Sequence, residues 1–209
     1  MKKRIENGIY LVIDPSMEEE ILLERIEIVL QEKIVALQIW DNFPKNIKVE
    51  SLITKICGIC QSFGVPVLIN NHWELLAHLP LDGVHFDRRP ENYEKIKTVL
   101  NKPFISGLTC NNDFADIHWA VKSKLDYISF CSVFHSNTSS SCELVSFETI
   151  RKAIEIADFP IFLAGGIRPE NMKELRDLNY DGIAVVSGVM NVEDPKEAVR
   201  KYLIELNHL

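Results

Sequence analysis

The chain has 209 residues, 46% of them hydrophobic and 25% charged, and a formal net charge of −7. That is the size and balance of one globular domain with a sizeable core, and the acidic excess argues against nucleic acid or an anionic membrane as partner. No apolar run approaches the ~18 residues of a membrane span, no signal-peptide core opens the chain, and the five cysteines are odd in number and scattered, so a reducing cytoplasm fits better than a disulfide framework.

Apolar or β-branched runs predict strands at 9–13, 34–39, 65–69, 82–86, 103–108, 126–130, 160–164 and 182–186. Helical patterns lie between them at 17–32, 47–63, 72–79, 90–100, 111–123, 146–157, 169–178 and 193–206. The first strand ends at Asp14. The second offers Gln38, Trp40 and Asn42, and the third ends in Asn70, Asn71 and His72. The fourth gives His85, Asp87, Arg88 and Arg89, and the fifth ends near Thr109. The sixth leads into Ser132, His135, Ser136, Asn137 and Thr138, on a Ser/Thr/Asn-rich connection over 131–145. The seventh and eighth run into Gly165-Gly166 and Val186-Ser187-Gly188.

Strands alternating with helices imply parallel pairing, because each return needs a crossover. Continuous apolar strands such as Val65-Pro-Val-Leu-Ile69 are expected when both faces are buried. The chain therefore reads as a single (β/α)8 TIM barrel, one α/β domain over 1–209. A doubly wound sheet would more often carry Gly-x-Gly-x-x-Gly after its first strand, and Asp14-Pro15-Ser16 stands there instead.

In such a barrel the C-terminal strand ends build the active face, and phosphate commonly sits after strands 7 and 8. Glycines let the backbone approach an anion, and N–H groups opening a helix point toward it. Gly165, Gly166, Val186, Ser187 and Gly188 are thus expected to bind phosphate. The ring of strand ends is rich in amides, hydroxyls and imidazoles, poor in carboxylates, and without lysine. Trp40 reads as a stacking platform for a heterocycle or as a plug of the barrel top. His85 lines the pocket or is a satisfied strand-end histidine. His72 reads as surface and His135 as solvated. Convergence of the three on zinc is conceivable, but no metal site is assigned. Cys57-Gly-Ile-Cys60 has redox or zinc spacing but lies on an amphipathic helix without a second pair, so helix packing is expected.

The chain resembles the thiamine phosphate synthase family with its TenI branch. The resemblance is carried by Ile9-Tyr10-Leu11-Val12, Val35-Ala36-Leu37-Gln38, Val65 to Asn70, Asp82-Gly83-Val84-His85 and Asp126-Tyr127-Ile128. Ala164-Gly165-Gly166-Ile167-x-Pro169-Glu170-Asn171 and Asp181 to Ser187 carry it best. It implies a transferase of thiamine biosynthesis that couples a pyrimidine pyrophosphate to a thiazole phosphate with Mg²⁺. It implies catalytic roles for Gln38, Asn70, Asn71, His85 and Thr109, and substrate contacts by Ser136 and Thr138 beside the glycine turns; Trp40, as a stacking platform, and Arg88, as a cation of strand 4, are expected to contact substrate on their own chemistry.

The departures matter as much. The family's Gln-x-Arg-x-Lys after strand 2 is Gln38-Ile-Trp40-Asp-Asn42 here, and its Asn-Asp after strand 3 is Asn70-Asn71. Its second metal aspartate aligns near Pro90, its Thr-x-Thr-Lys is Ser136-Asn137-Thr138-Ser139, and the TenI-branch histidine aligns with Ser132. Mg²⁺ favours one or two carboxylates plus substrate phosphate, and a departing pyrophosphate needs preorganised positive charge. Weak or absent Mg²⁺-dependent coupling is therefore expected, with Arg88 and Arg89 as the cations available to compensate. Two classes stay open: an enzyme on a thiazole or other heterocyclic phosphate, and a non-catalytic or regulatory barrel binding such a ligand. A small phosphorylated heterocycle is the expected partner; a homodimer is compatible with the sequence, which leaves the oligomeric state open.

Overall fold

The computed structural model describes residues 4–135 and 143–207. Its eight strands are β1 (Gly8–Ile13), β2 (Ile34–Ile39), β3 (Val67–Asn70), β4 (Gly83–Phe86), β5 (Ile105–Cys110), β6 (Tyr127–Cys131), β7 (Ile161–Ala164) and β8 (Gly182–Val185). Each pairs in parallel with the next, and β1 pairs with β8, so the sheet closes into the expected barrel. The crossovers include α1 (Glu19–Val29), α2 (Val49–Ser62), α3 (Tyr93–Leu100), α4 (Phe114–Ser123) and α5 (Phe147–Ile156), and the short α6 (Ser187–Met190) and α7 (Pro195–Leu206) follow β8. Two of the expected helices are 3₁₀ segments, Trp73–Ala77 and Pro169–Leu175. The sequence reading did not foresee α6.

Two cores hold the barrel. The larger lies between sheet and helices and includes Leu22, Ile26, Leu52, Ile53, Ile56, Ile117, Ile150 and Val199. Cys57 and Cys60 are buried within it on α2, which is the packing role expected of them. The smaller fills the barrel interior with Tyr10, Ala36, Leu68, Ile105, Tyr127 and Phe162. The rings of Tyr10, Tyr127 and Phe162 meet pairwise at centroid distances of 5.5 to 5.8 Å. Space for them is made by glycine: a Cβ on Gly107 would collide with the Tyr127 ring.

The N-terminal face is tied by carboxylates. Asp82, Asp126 and Asp181 each accept a hydrogen bond from the backbone N–H of Val67, Ser106 and Ile161, at 2.9, 2.7 and 2.8 Å. Helix starts are capped by side chains as well, Asn92 before α3, Asp113 before α4, Ser146 before α5 and Asp194 before α7. Such caps satisfy otherwise orphaned N–H groups. Among the described residues no helix is long and apolar enough to cross a membrane.

Candidate active site

The C-terminal ends of β2 to β5, with Tyr10 of β1 and Tyr127 of β6 from the barrel interior, bring together one connected hydrogen-bond system. Asn71 follows β3 with φ of 56°, a left-handed conformation that asparagine tolerates better than most residues. Its Oδ1 accepts from the backbone N–H of Asp87 at 3.0 Å. That bond orients the amide, so Nδ2 donates to the carboxylates of Asp41 at 2.8 Å and Asp87 at 2.9 Å. Asn70 also donates to Asp87, at 3.0 Å. On the neighbouring rim Asn42 donates to both oxygens of Asp14, at 3.1 and 3.2 Å.

From Asn70 the system descends into the barrel. Gln38 Nε2 donates to Asn70 Oδ1 at 2.5 Å, and Tyr10 donates to Gln38 Oε1 at 2.8 Å. The Tyr10 and Tyr127 hydroxyls are 2.7 Å apart. His85 Nδ1 lies 2.8 Å from the Tyr127 hydroxyl, and its Nε2 lies 2.8 Å from Thr109 Oγ1. Gln38, Asn70 and His85 are buried, and Thr109 is half-buried at the rim. Burial lowers the His85 pKa to about 4, against the opposing pull of Asp87, so its imidazole is neutral at physiological pH. Gln38, Asn70, Asn71, His85 and Thr109 thus do converge, through bonds to one another and to tyrosines that the sequence reading took only as part of a motif.

Other expectations need correction. The rim is not poor in carboxylates: Asp14, Asp41 and Asp87 all stand there, held by asparagine amides. Asp41, between Trp40 and Asn42, is not among the residues expected from the sequence, because its role depends on the Asn71 amide brought to it from β3. The zinc alternative has no geometric support among the described residues. His85 has both ring nitrogens engaged, His72 is exposed with its ring tilted 6.5 Å from that of Phe43, and no group of three metal-capable side chains is present. Arg89 is committed to Asp116 on α4 at 2.6 Å, which leaves Arg88, exposed at the end of β4, as the cation of that pair nearest to free use. Trp40 is half-buried at the end of β2, its N–H bonded to Ile13 O at 3.0 Å. Ser136 and Thr138 lie outside the described residues.

The β7 and β8 ends are built differently. Gly165 and Gly166 have φ of 87° and 66°. A Cβ on Gly165 would sit 2.5 Å from Ser132 Oγ, and one on Gly166 would collide with the carbonyls of Phe134 and His135. Phe134 N–H donates to Gly165 O at 3.0 Å, so these glycines carry a backbone packed against the segment that follows β6. Val186 leads into α6, where Val189 and Met190 N–H groups bond Val186 O, and Gly188 abuts the Tyr202 hydroxyl of α7. The glycine turns therefore have a packing reason.

A family model described as thiamine monophosphate synthase matches residues 9–189. The chain is 27% identical over 201 residues to thiamine-phosphate synthase of Methanobrevibacter smithii, covering 96% of each. It is 29% identical over 204 residues to that of Hydrogenobaculum sp., covering 97% of this chain and 94% of the relative. In three dimensions it is similar to a thiamine phosphate pyrophosphorylase from Pyrococcus furiosus, with a TM-score of 0.84 at 21% identity over 98% of each chain. Orotidine 5'-phosphate decarboxylase from Pyrococcus horikoshii shares the fold, with a TM-score of 0.71 at 13% identity.

Proposed function

The chain belongs to the thiamine monophosphate synthase family, and from that premise we propose that it serves thiamine biosynthesis by binding a phosphorylated heterocycle at the C-terminal face of its barrel, with little Mg²⁺-dependent coupling of its own. The phosphate goes to the backbone of Gly165-Gly166 and of Val186-Ser187-Gly188. The heterocycle lies toward Trp40, Gln38 and Thr109.

The observation that carries the reading is the Asn71 amide. Mg²⁺ takes oxygen ligands at about 2.0–2.1 Å and is usually bound by one or two carboxylates with substrate phosphate. Here the gap between Asp41 and Asp87 is filled by Asn71 Nδ2, a donor, while the amide oxygen that could serve a metal is engaged by the Asp87 N–H. Pro90 stands where the resemblance expects the second carboxylate. These residues do not fit Mg²⁺. The rim instead presents carboxylates that already accept from amide N–H groups, and carboxylates and amides give a departing pyrophosphate little of the electrostatic stabilisation that usually dominates chemistry of this kind.

A coupling assay with pyrimidine pyrophosphate and thiazole phosphate, with and without chelator, tests the reading. Ligand-dependent stabilisation with turnover near background is expected. Robust turnover that chelator abolishes would refute it. Turnover that is indifferent to chelator and lost on Arg88→Ala would favour the second reading, an enzyme in which a guanidinium grips the pyrophosphate in place of metal.

A further inference from the structure

The hydrogen bonds that run from Asp87 through the barrel interior to Thr109 can be satisfied in one direction only. A carboxylate accepts, so Asn70 must present Nδ2 to Asp87 and therefore Oδ1 to Gln38. Gln38 then presents Nε2 to Asn70 and Oε1 to Tyr10, whose single hydroxyl proton is committed to that oxygen. Tyr10 can only accept from Tyr127, and Tyr127, its own proton so committed, can only accept from His85 Nδ1. A neutral imidazole carries one N–H, so His85 Nε2 must accept, and its partner Thr109 must donate.

We propose that Tyr127, relayed by Tyr10, is a positioning residue that holds His85 as the Nδ1–H tautomer and thereby leaves the Thr109 oxygen with lone pairs alone to offer a ligand. The β5 side of the mouth then reads a hydrogen-bond donor on the heterocycle and disfavours an acceptor at the same place. The direction is set from Asp87, the carboxylate that also anchors Asn71, so the tautomer of a histidine inside the barrel is fixed from its rim. Burial supports this arrangement: it keeps His85 neutral and raises both tyrosine hydroxyls above their ordinary range, so that they stay protonated as hydrogen-bond relays. Gln38 cannot pass a proton onward, so the chain orients groups and is not a proton wire.

The consequence at Thr109 rests on the mouth being the ligand site. The tautomer does not, and it is read with no ligand present. Long-range ¹H–¹⁵N correlation spectra of the whole protein at pH 7, with His85→Gln to assign the His85 resonances, should show a protonated Nδ1 and an unprotonated Nε2. Tyr127→Phe keeps the ring packing but removes the acceptor, and should shift the signature toward Nε2–H. Tyr93→Phe deletes another buried hydroxyl, bonded to Ser106 Oγ at 2.8 Å outside this chain, and should leave the signature unchanged. An Nε2–H tautomer in the wild type overturns the proposal, and so does a Tyr127→Phe spectrum like the parent's or a Tyr93→Phe effect of equal size. If Tyr127→Phe does not fold, the wild-type spectrum and that of Tyr10→Phe, which removes the next link, decide.

Discussion

The two sides of the barrel mouth solve the same problem with different materials. From β1 to β6 the rim is made of side chains that bond one another across strands, as Asn71 does with Asp41 and Asp87, above a buried chain in which Tyr10 meets Tyr127. At β7 and β8 it is made of backbone, with glycines where neighbouring carbonyls leave no room for a Cβ. The first kind of surface is preorganised by mutual satisfaction and tolerates little change of charge. The second is preorganised by shape and tolerates little change of volume. A ligand bridging them would meet orienting amides and hydroxyls at one end and N–H groups at the other.

The largest expected effect tests the shape-built side. Gly166→Ala places a Cβ against the Phe134 and His135 carbonyls at a φ of 66°. Overpacking and a left-handed non-glycine residue together cost roughly 3–4 kcal/mol. Urea denaturation should register that loss, and stabilisation by phosphorylated thiazole should vanish with it. A variant as stable as the parent would show that the turn is not shape-constrained.

The next tests the buried part of the other side. The His85 pKa is lowered from 6.5 to about 4, so the folded protein keeps this imidazole neutral where the unfolded chain takes up a proton. Stability attributable to His85 is therefore full above about pH 6.5 and declines as pH falls toward about 4, by on the order of 3 kcal/mol. Comparing urea midpoints of the wild type and His85→Asn across that window isolates the term from the carboxylates that titrate nearby. Parallel pH profiles would show that burial does not hold the ring neutral.

Asn71→Asp tests the rim itself. It removes two donors to Asp41 and Asp87 and sets three carboxylates together, a loss of about 2 kcal/mol after allowance for partial exposure. Millimolar Mg²⁺ should restore part of the melting temperature of the variant and leave the wild type unmoved. A saturable Mg²⁺ shift in the wild type would mean that the amide yields its place to the cation.

The contrast between the two sides also governs what could be read from sequence. The eight strands were legible because each is a short apolar run between turn residues, and β2 falls on its expected bounds of 34–39. The glycine turns were legible because their constraint is local. The charge economy of the other side was not. Asp41 and Asp87 matter only because Asn71 lies between them, and Tyr127 matters only because Gly107 leaves room for its ring and Tyr10 receives its proton. Asp82, Asp126 and Asp181, which open three of the motifs that carry the family resemblance, accept from strand N–H groups at the N-terminal face, where they stabilise the barrel. Spacing alone does not say which end of a strand a motif serves.

The smallest effect separates the two arginines that sequence left as equals. Arg89 is paired with Asp116, whose pKa is raised by desolvation and pulled back by that guanidinium. Removing it in Arg89→Ala should raise the Asp116 pKa further, visible by NMR titration, while stability changes by no more than about 1 kcal/mol, as for other exposed pairs. Arg88 is exposed beside Asp87 and close to the carboxylate rim, so Arg88→Ala should leave stability within about 0.5 kcal/mol of the parent. If this arginine contributes to anion binding, its loss should weaken inorganic pyrophosphate several-fold while binding of phosphate at the glycine turns is unchanged. Equal weakening of both anions by Arg88→Ala would mean that the mouth has one electrostatic field, not two separately built sides. No change in either would leave anion recognition to the backbone of β7 and β8, and would leave Arg88 no part in supporting coupling.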